Sequence, residues 1–173
     1  RAKKDGIAVS AKGMPHHFAA DESAVAGFNT LAKVNPPPRS AGDSEALISA
    51  INEGVIDCIA SDHAPHESDS KRVEFDKASF GTVGLQSTVP LTLGKVREGK
   101  ISLRRAIDAL TVSPARCFGL AAPSLAPGQT ADLTIIDPER KLVLTESCLR
   151  SKSKNSMFLG RELQGLAVKT FVA

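Results

Sequence analysis

Tryptophan and tyrosine are absent from this 173-residue chain, and seven phenylalanines are its only aromatic residues apart from histidine. A surface that tracks nucleic acid needs a basic stripe with aromatic stacking platforms. Here 22 Lys and Arg stand against 19 Asp and Glu, a net charge of +3, and the basic residues are dispersed. Nucleic acid is therefore not an expected partner. Three cysteines, Cys58, Cys117 and Cys148, are too few and too scattered for a disulfide framework or a thiolate zinc site. No apolar run approaches the ~18 residues of a membrane span, and the longest candidates, Val55 to Ala60 and Leu133 to Ile136, have the length of strands. No secretory leader is evident, so the expectation is a cytoplasmic chain without a membrane partner. What remains is a globular composition, 42% hydrophobic and 24% charged, sized for one domain or one and a part.

The opening run Arg1 to Gly6 reads as the last turn of a helix, with cations at its negative end and a glycine stop. A chain that opens this way is expected to be a piece of something longer. Ile7 to Ala11 then reads as a short buried strand that enters Met14-Pro15-His16-His17. The prolines of Asn35-Pro36-Pro37-Pro38-Arg39 require an extended, stiff segment. Ser40 with Asp43 forms a capping pair, Ala46, Leu47, Ala50 and Ile51 recur at helical spacing, and Gly54 ends the helix. Val55 to Ala60 reads as a second buried strand, running into Ser61-Asp62-His63-Ala64-Pro65-His66. Further helices are expected over Gly84 to Gly99, from Ser102 through Leu103, Ala106, Ile107 and Leu110, and from Ser113-Pro114 to Leu120. Beyond Ala121 the texture turns to strands: Ala131 to Asp137 ending at Pro138, Lys141 to Leu144, and Leu166 to Val172. The fold class is α/β, with a boundary near residue 122 between segments 1–121 and 122–173.

In parallel α/β arrays, function collects at the carboxyl ends of strands. Two such ends carry histidines here, Pro15-His16-His17 and Asp62 to His66. An Asp with His one and four residues on has the composition of a metal-assisted hydrolytic site. Taken alone, Asp62 reads equally as the cap of a turn whose histidines merely bond the loop. His16 and His17, if on a strand, point to opposite faces and cannot both line one pocket. Cys58 reads as a small core hydrophobe, and Lys71-Arg72 and Lys152 to Lys154 as solvated faces.

Several stretches together resemble the C-terminal part of the dihydroorotases, cyclic amidohydrolases of the amidohydrolase superfamily. They are Met14-Pro15-His16-His17, Lys33 to Arg39, Ile56 to His66, Phe80-Gly81 with Gly84-Leu85, Gly128 to Asp137, and Asn155 to Gly160. They occur in family order with similar spacing. The resemblance implies the last two strands and helices of a (β/α)8 TIM-type barrel, plus part of a small β-domain. It implies the reversible cyclisation of N-carbamoyl-aspartate to dihydroorotate, in pyrimidine biosynthesis, with one or two Zn2+ per site. Asp62 would be the last metal ligand and the general acid/base, while Asn35, His66, Phe80 and Gly81 would hold the substrate. No metal role is carried onto His16 or His17, because the family's other ligands come from earlier strands. Departures are Lys12-Gly13-Met14, where an acidic residue, an apolar residue and Thr are usual, and Gln86 for a usual Glu. Expected partners are the small-molecule substrate and, among proteins, a second copy or aspartate transcarbamoylase. The alternatives are a non-catalytic dihydroorotase-like subunit that scaffolds aspartate transcarbamoylase, and a sister amidase for dihydropyrimidines, hydantoins or allantoin. In isolation the chain is expected to be inactive and poorly folded.

Overall fold

A computed structural model describes residues 1–173. Its clearest element is the helix α2, Ala41–Asn52. Ser40 Oγ accepts from Asp43 N while the Asp43 carboxylate accepts from Ser40 N, so both orphan donors of the first turn are satisfied. Gly54, at φ 71°, turns the chain out of the helix. The buried face is Ser44, Ile48 and Ile51, with Leu47 and Ala50 at its margin and Ala46 exposed.

α2 joins two parallel strands, β1 (Lys12–Gly13) and β2 (Cys58–Ile59), in register Lys12 to Cys58 and Gly13 to Ile59. Both are shorter than the sequence suggests, and Asp57 gives the reason. Its carboxylate accepts from Ala11 N at 2.8 Å and from Lys3 Nζ at 2.6 and 2.7 Å, so a side chain takes the place of a ladder partner. The Lys3 cation and those hydrogen bonds hold the Asp57 carboxyl below its ordinary range, against the opposing effect of burial, the largest single influence. Ile7 to Ala11 is thus extended chain rather than a strand, and Ile7 and Val9 remain exposed. Arg1 to Gly6 closes as the sequence suggests, as a single helical turn: Asp5 N donates to Arg1 O, Gly6 N to Lys3 O and Ile7 N to Ala2 O, with Gly6 left-handed at φ 77°.

Pro15 opens a one-turn helix, α1 (Pro15–Ala19), where its missing N–H costs nothing. His16 and His17 are therefore helical neighbours, both buried, with ring centroids 4.3 Å apart. This corrects the expectation that they sit on a strand and face opposite ways. Phe18 of α1 packs with Ile48, Ile51, Ile56 and Ile59 and with Ile101, Ala106 and Ala109 in one core.

The next elements are α3 (Ser68–Lys71), α4 (Leu85–Arg97), α5 (Leu103–Leu110) and α6 (Val112–Cys117). Ser102 caps α5 through Arg105 N, as its position suggests, but the buried face is Ala106 and Ala109 while Leu103 and Ile107 stay exposed. α6 starts earlier than expected, and Ser113 lies inside it, donating to Asp108 Oδ2. Cys117 meets Cys58 with 3.6 Å between sulfurs, both as free thiols, and burial with the neighbouring thiol pushes Cys58 up to about 11.

The tail forms an antiparallel pair, β3 (Leu133–Val143) and β4 (Glu162–Phe171). Pro138 does not end the strand as expected. It sits in an irregularity where Asp137 Oδ1 accepts from Glu139 N and Arg140 N, so the missing proline donor is not needed by the ladder. A second core, Val83, Leu91, Leu144, Leu149, Phe158 and Leu163, joins this tail to α4. Gly165 makes the approach close: a Cβ there would lie 2.7 Å from Leu93 Cδ1. No helix is long and apolar enough to cross a membrane.

Ile51→Ala is expected to cost about 2–5 kcal/mol of stability, because Ile51 is fully buried, whereas Ile107→Ala, at a 39% exposed position, costs under about 1 kcal/mol. Urea unfolding of the two variants checks the ranking.

Candidate functional site

Asp62 follows β2 and takes φ 50°, a left-handed conformation that Asp tolerates better than most residues. Its side chain is 41% exposed, and Oδ1 lies 3.5 Å from Lys12 Nζ, on the neighbouring strand. The departure noted at Lys12 therefore falls beside the candidate catalytic carboxylate. No hydrogen bond joins Asp62 to Asn35 or His66 within this chain.

Beyond Asp62 the chain lies against a second segment. His63 pairs with Thr82 in a parallel bridge, Ala64 N donates to Thr82 O at 3.0 Å, and His63 Nδ1 accepts from Gly84 N at 3.2 Å. The approach at Gly84 is so close that a Cβ would lie 2.7 Å from the Ser61 carbonyl. Gly81 is tighter still. At φ 141°, its missing side chain would stand 2.7 Å from Ala64 Cβ and 2.9 Å from the His66 ring. His66 and Gly81, both singled out in the sequence, are thus in contact.

Asn155 fastens this arrangement from the tail. Its Oδ1 accepts from His66 N at 3.1 Å, and its Nδ2 donates to Ala64 O at 3.0 Å and Gly81 O at 3.3 Å. The segment leading to Asn35 joins through Gly81 N, which donates to Lys33 O at 2.9 Å. Asn35 itself is exposed and its side chain is unpaired within the chain, while Phe80 is 55% exposed. The structure therefore brings together His66, Gly81 and the approach to Asn35, with Phe80 at the rim and Asp62 on the same loop as His66.

Three residues of this cluster had no role assigned from sequence. Asn155 and Lys33 lay inside stretches that carried the resemblance, but nothing local marked them as ties. Lys71 is a correction: read as part of a solvated face, it is 4% exposed. The reason is chemical, since its ammonium donates to Ser79 O at 2.7 Å, Gly81 O at 3.0 Å and Lys33 O at 3.3 Å. Lys154 is likewise drawn in, donating to Leu149 O and Ser151 O.

His17 Nε2 donates to Pro36 O at 2.7 Å, fixing the proline segment against α1. A groove of about 470 Å³ opens beside them, between Lys12, Met14, His17, Pro36 and Arg39, and Asp62 does not line it. His16 Nε2 is buried without a partner. Burial, with His17 and Lys12 adding to it and Asp62 opposing, lowers His16 to about 4.

A catalytic zinc takes three protein ligands. No group of three His, Cys, Asp or Glu side chains converges in this chain. Asp62 can supply one hard oxygen ligand, so these residues fit a fraction of such a centre and not the whole of it. What they can do unaided is present a half-exposed carboxylate and an imidazole on the segment after β2, with the Phe80–Gly81 peptide packed against it.

The profile of the amidohydrolase family matches residues 1–172. A dihydroorotase of Trichlorobacter lovleyi is 46% identical over 171 residues, which is 99% of this chain and 40% of that protein. A dihydroorotase of Elusimicrobium minutum is 42% identical over 173 residues, 99% of this chain and 40% of that protein. The chain thus spans about 40% of the length of these curated relatives. Among solved structures, the L-hydantoinase (dihydropyrimidinase) of Arthrobacter aurescens aligns with a TM-score of 0.91 at 30% identity, over 99% of this chain and 39% of that one. The dihydropyrimidinase of Brevibacillus agri aligns at 0.88 with 24% identity over the same shares, a likeness of fold.

Two outcomes test the geometry. Gly81→Ala forces a methyl onto the His66 ring, so the His66 ring resonances should shift and the Gly81-to-Lys33 hydrogen bond should exchange faster. Unchanged spectra would contradict the contact. His16 titrates at about 4 instead of 6.5 in the fold, so the unfolded chain takes up the proton first as pH falls. Stability should drop by roughly 2 kcal/mol from pH 7 to pH 5, and His16→Asn should flatten that window in urea unfolding.

Proposed function

The chain belongs to the amidohydrolase family, and on that premise we propose that it is the C-terminal portion of a zinc-dependent dihydroorotase. One contrast carries the reading. Across essentially its whole length the chain is 41–46% identical to the dihydroorotases compared, against 30% or less for the hydantoinase and dihydropyrimidinase structures. On this reading β1 and β2 are the seventh and eighth strands of a (β/α)8 barrel. Residues 1–121 then belong to that barrel, residues 122–173 to a small β-domain, and the enzyme works in the cytoplasm.

The reaction is addition of water across the ring amide of dihydroorotate, and its reversal. The carbon–nitrogen bond breaks, a carbon–oxygen bond forms, and a proton must move from water to the departing nitrogen. Asp62 performs that transfer, as a base toward the attacking water and then as an acid toward nitrogen. Zinc held there in part by the Asp62 carboxylate would supply polarisation of the carbonyl and a lowered pKa for water. The part of this chain in that centre is the Asp62 carboxylate; the further ligands belong to the rest of the barrel. Asn35, His66 and the Phe80–Gly81 peptide orient the ring and its carboxylate. A glycine at 81 suits that task, since any side chain would collide with His66.

The Lys12–Asp62 ion pair favours one second reading. An ammonium beside the carboxylate competes with a metal cation, as a non-catalytic dihydroorotase-like subunit bound to aspartate transcarbamoylase would tolerate. A catalytic protein instead turns over its substrate alone, most simply as a homodimer.

The test is the whole protein, loaded with zinc and assayed in both directions with metal content measured in parallel. Asp62→Asn should reduce turnover at least about 100-fold. Survival within tenfold would remove Asp62 from the mechanism, and an inactive wild type that binds aspartate transcarbamoylase would favour the second reading. A substrate panel that prefers hydantoins or dihydropyrimidines would move the assignment to a sister amidase.

A further inference from the structure

Lys71 is buried and has no carboxylate partner. A lysine in such a place costs desolvation that an apolar side chain of similar length does not. That cost is visible in its acidity: burial first, then the Lys33 ammonium, pull Lys71 down to about 8. What the ammonium gains is three carbonyl acceptors, at Ser79, Gly81 and Lys33. These are the groups flanking Phe80 and the residue two before Asn35. Gly81 is engaged on both sides, its carbonyl by Lys71 and Asn155 and its N–H by Lys33 O. Phe80, between the clamped positions, has neither its N–H nor its carbonyl paired within the chain. The peptide that is left open to a ligand is thus held from both ends.

We propose that Lys71 is a positioning residue, whose ammonium locks the Phe80–Gly81 peptide against His66 so that the Phe80 backbone can receive the carboxylate-bearing ring. The inference rests on the dihydroorotase reading for the identity of that ring. The clamp itself rests only on the geometry. Lys71 acts through the peptide and touches no reacting atom.

A neutral amine keeps two N–H groups for three carbonyls, so the clamp loosens as Lys71 loses its proton. Lys33 is the nearest cation, and the charged residues that line the hollow beside Lys71 are Arg72, Glu146 and Lys154. None replaces the missing donor on Gly81, whose other partner is the Asn155 amide.

The experiment compares wild type with Lys71→Met in the whole zinc-loaded protein, by steady-state kinetics and by hydrogen exchange at the Gly81 amide. Lys71→Met should raise KM for dihydroorotate at least tenfold while kcat stays within threefold and zinc content is unchanged. Gly81 exchange should quicken at least tenfold. In the wild type, KM should climb several-fold between pH 7 and pH 9, and in the variant it should be high and flat across that range. An unaltered KM with unaltered exchange overturns the proposal, and so does a loss of kcat together with zinc, which would make Lys71 merely structural. If the variant does not fold, the wild-type profile decides, and a flat KM to pH 9 overturns it. If the wild type does not turn over dihydroorotate, the reading of function has failed, while Gly81 exchange still judges the clamp.

Discussion

Two donors meet at one oxygen. Lys71 Nζ at 3.0 Å and Asn155 Nδ2 at 3.3 Å both reach the Gly81 carbonyl, from positions far apart in the chain. Around that oxygen the segment after β2, the Phe80 loop, the approach to Asn35 and the tail are drawn into one cluster. A buried carbonyl left unpaired would cost about 1–3 kcal/mol, and the same oxygen with two donors is instead a fixed point. Gly81 then has no room for a side chain, because the space is filled by Ala64 and the His66 ring. The candidate site is held together around Gly81 by backbone satisfaction rather than by apolar packing.

The packing does a different job. One core, around Ile48, Ile51 and Ile59, seats β1 and β2 on the helices, and a second, around Leu91, Leu144 and Leu163, joins α4 to the tail. Ala19 touches both, just past the histidines of α1. The tail is thereby fixed well enough for Asn155 to reach Ala64, 91 residues earlier. Val83 of the second core sits two residues from Gly81, which couples the tail's packing to the geometry of the site.

What could be read from sequence was what depends on neighbours in the chain. The Ser40–Asp43 cap, the Gly54 stop and the parallel pairing around α2 follow from local chemistry, and the structure has all three. Strand lengths were misjudged because Asp57 uses its side chain where a ladder partner was expected. His16 and His17 were misplaced because a proline at the start of a helix looks like a loop when the helix is one turn long. Lys71 was unreadable for a deeper reason. A lone charged residue in a polar loop looks solvated, and its three acceptors lie 8, 10 and 38 residues away. Asp62 stood out because a strand ended in it. What that position could not reveal is Lys12 across the ladder, where the spacing is set by pairing and not by sequence.

The most direct measurement is a crystal structure of the whole protein with zinc and N-carbamoyl-aspartate bound. The proposed function predicts Asp62 on the metal and off Lys12, and a ligand carboxylate oxygen within hydrogen-bond distance of the Phe80 N–H. It further predicts the Gly81 carbonyl still held by Lys71 and Asn155. A ligand seated elsewhere, with Asp62 still paired to Lys12 and the Phe80 peptide untouched, would contradict it.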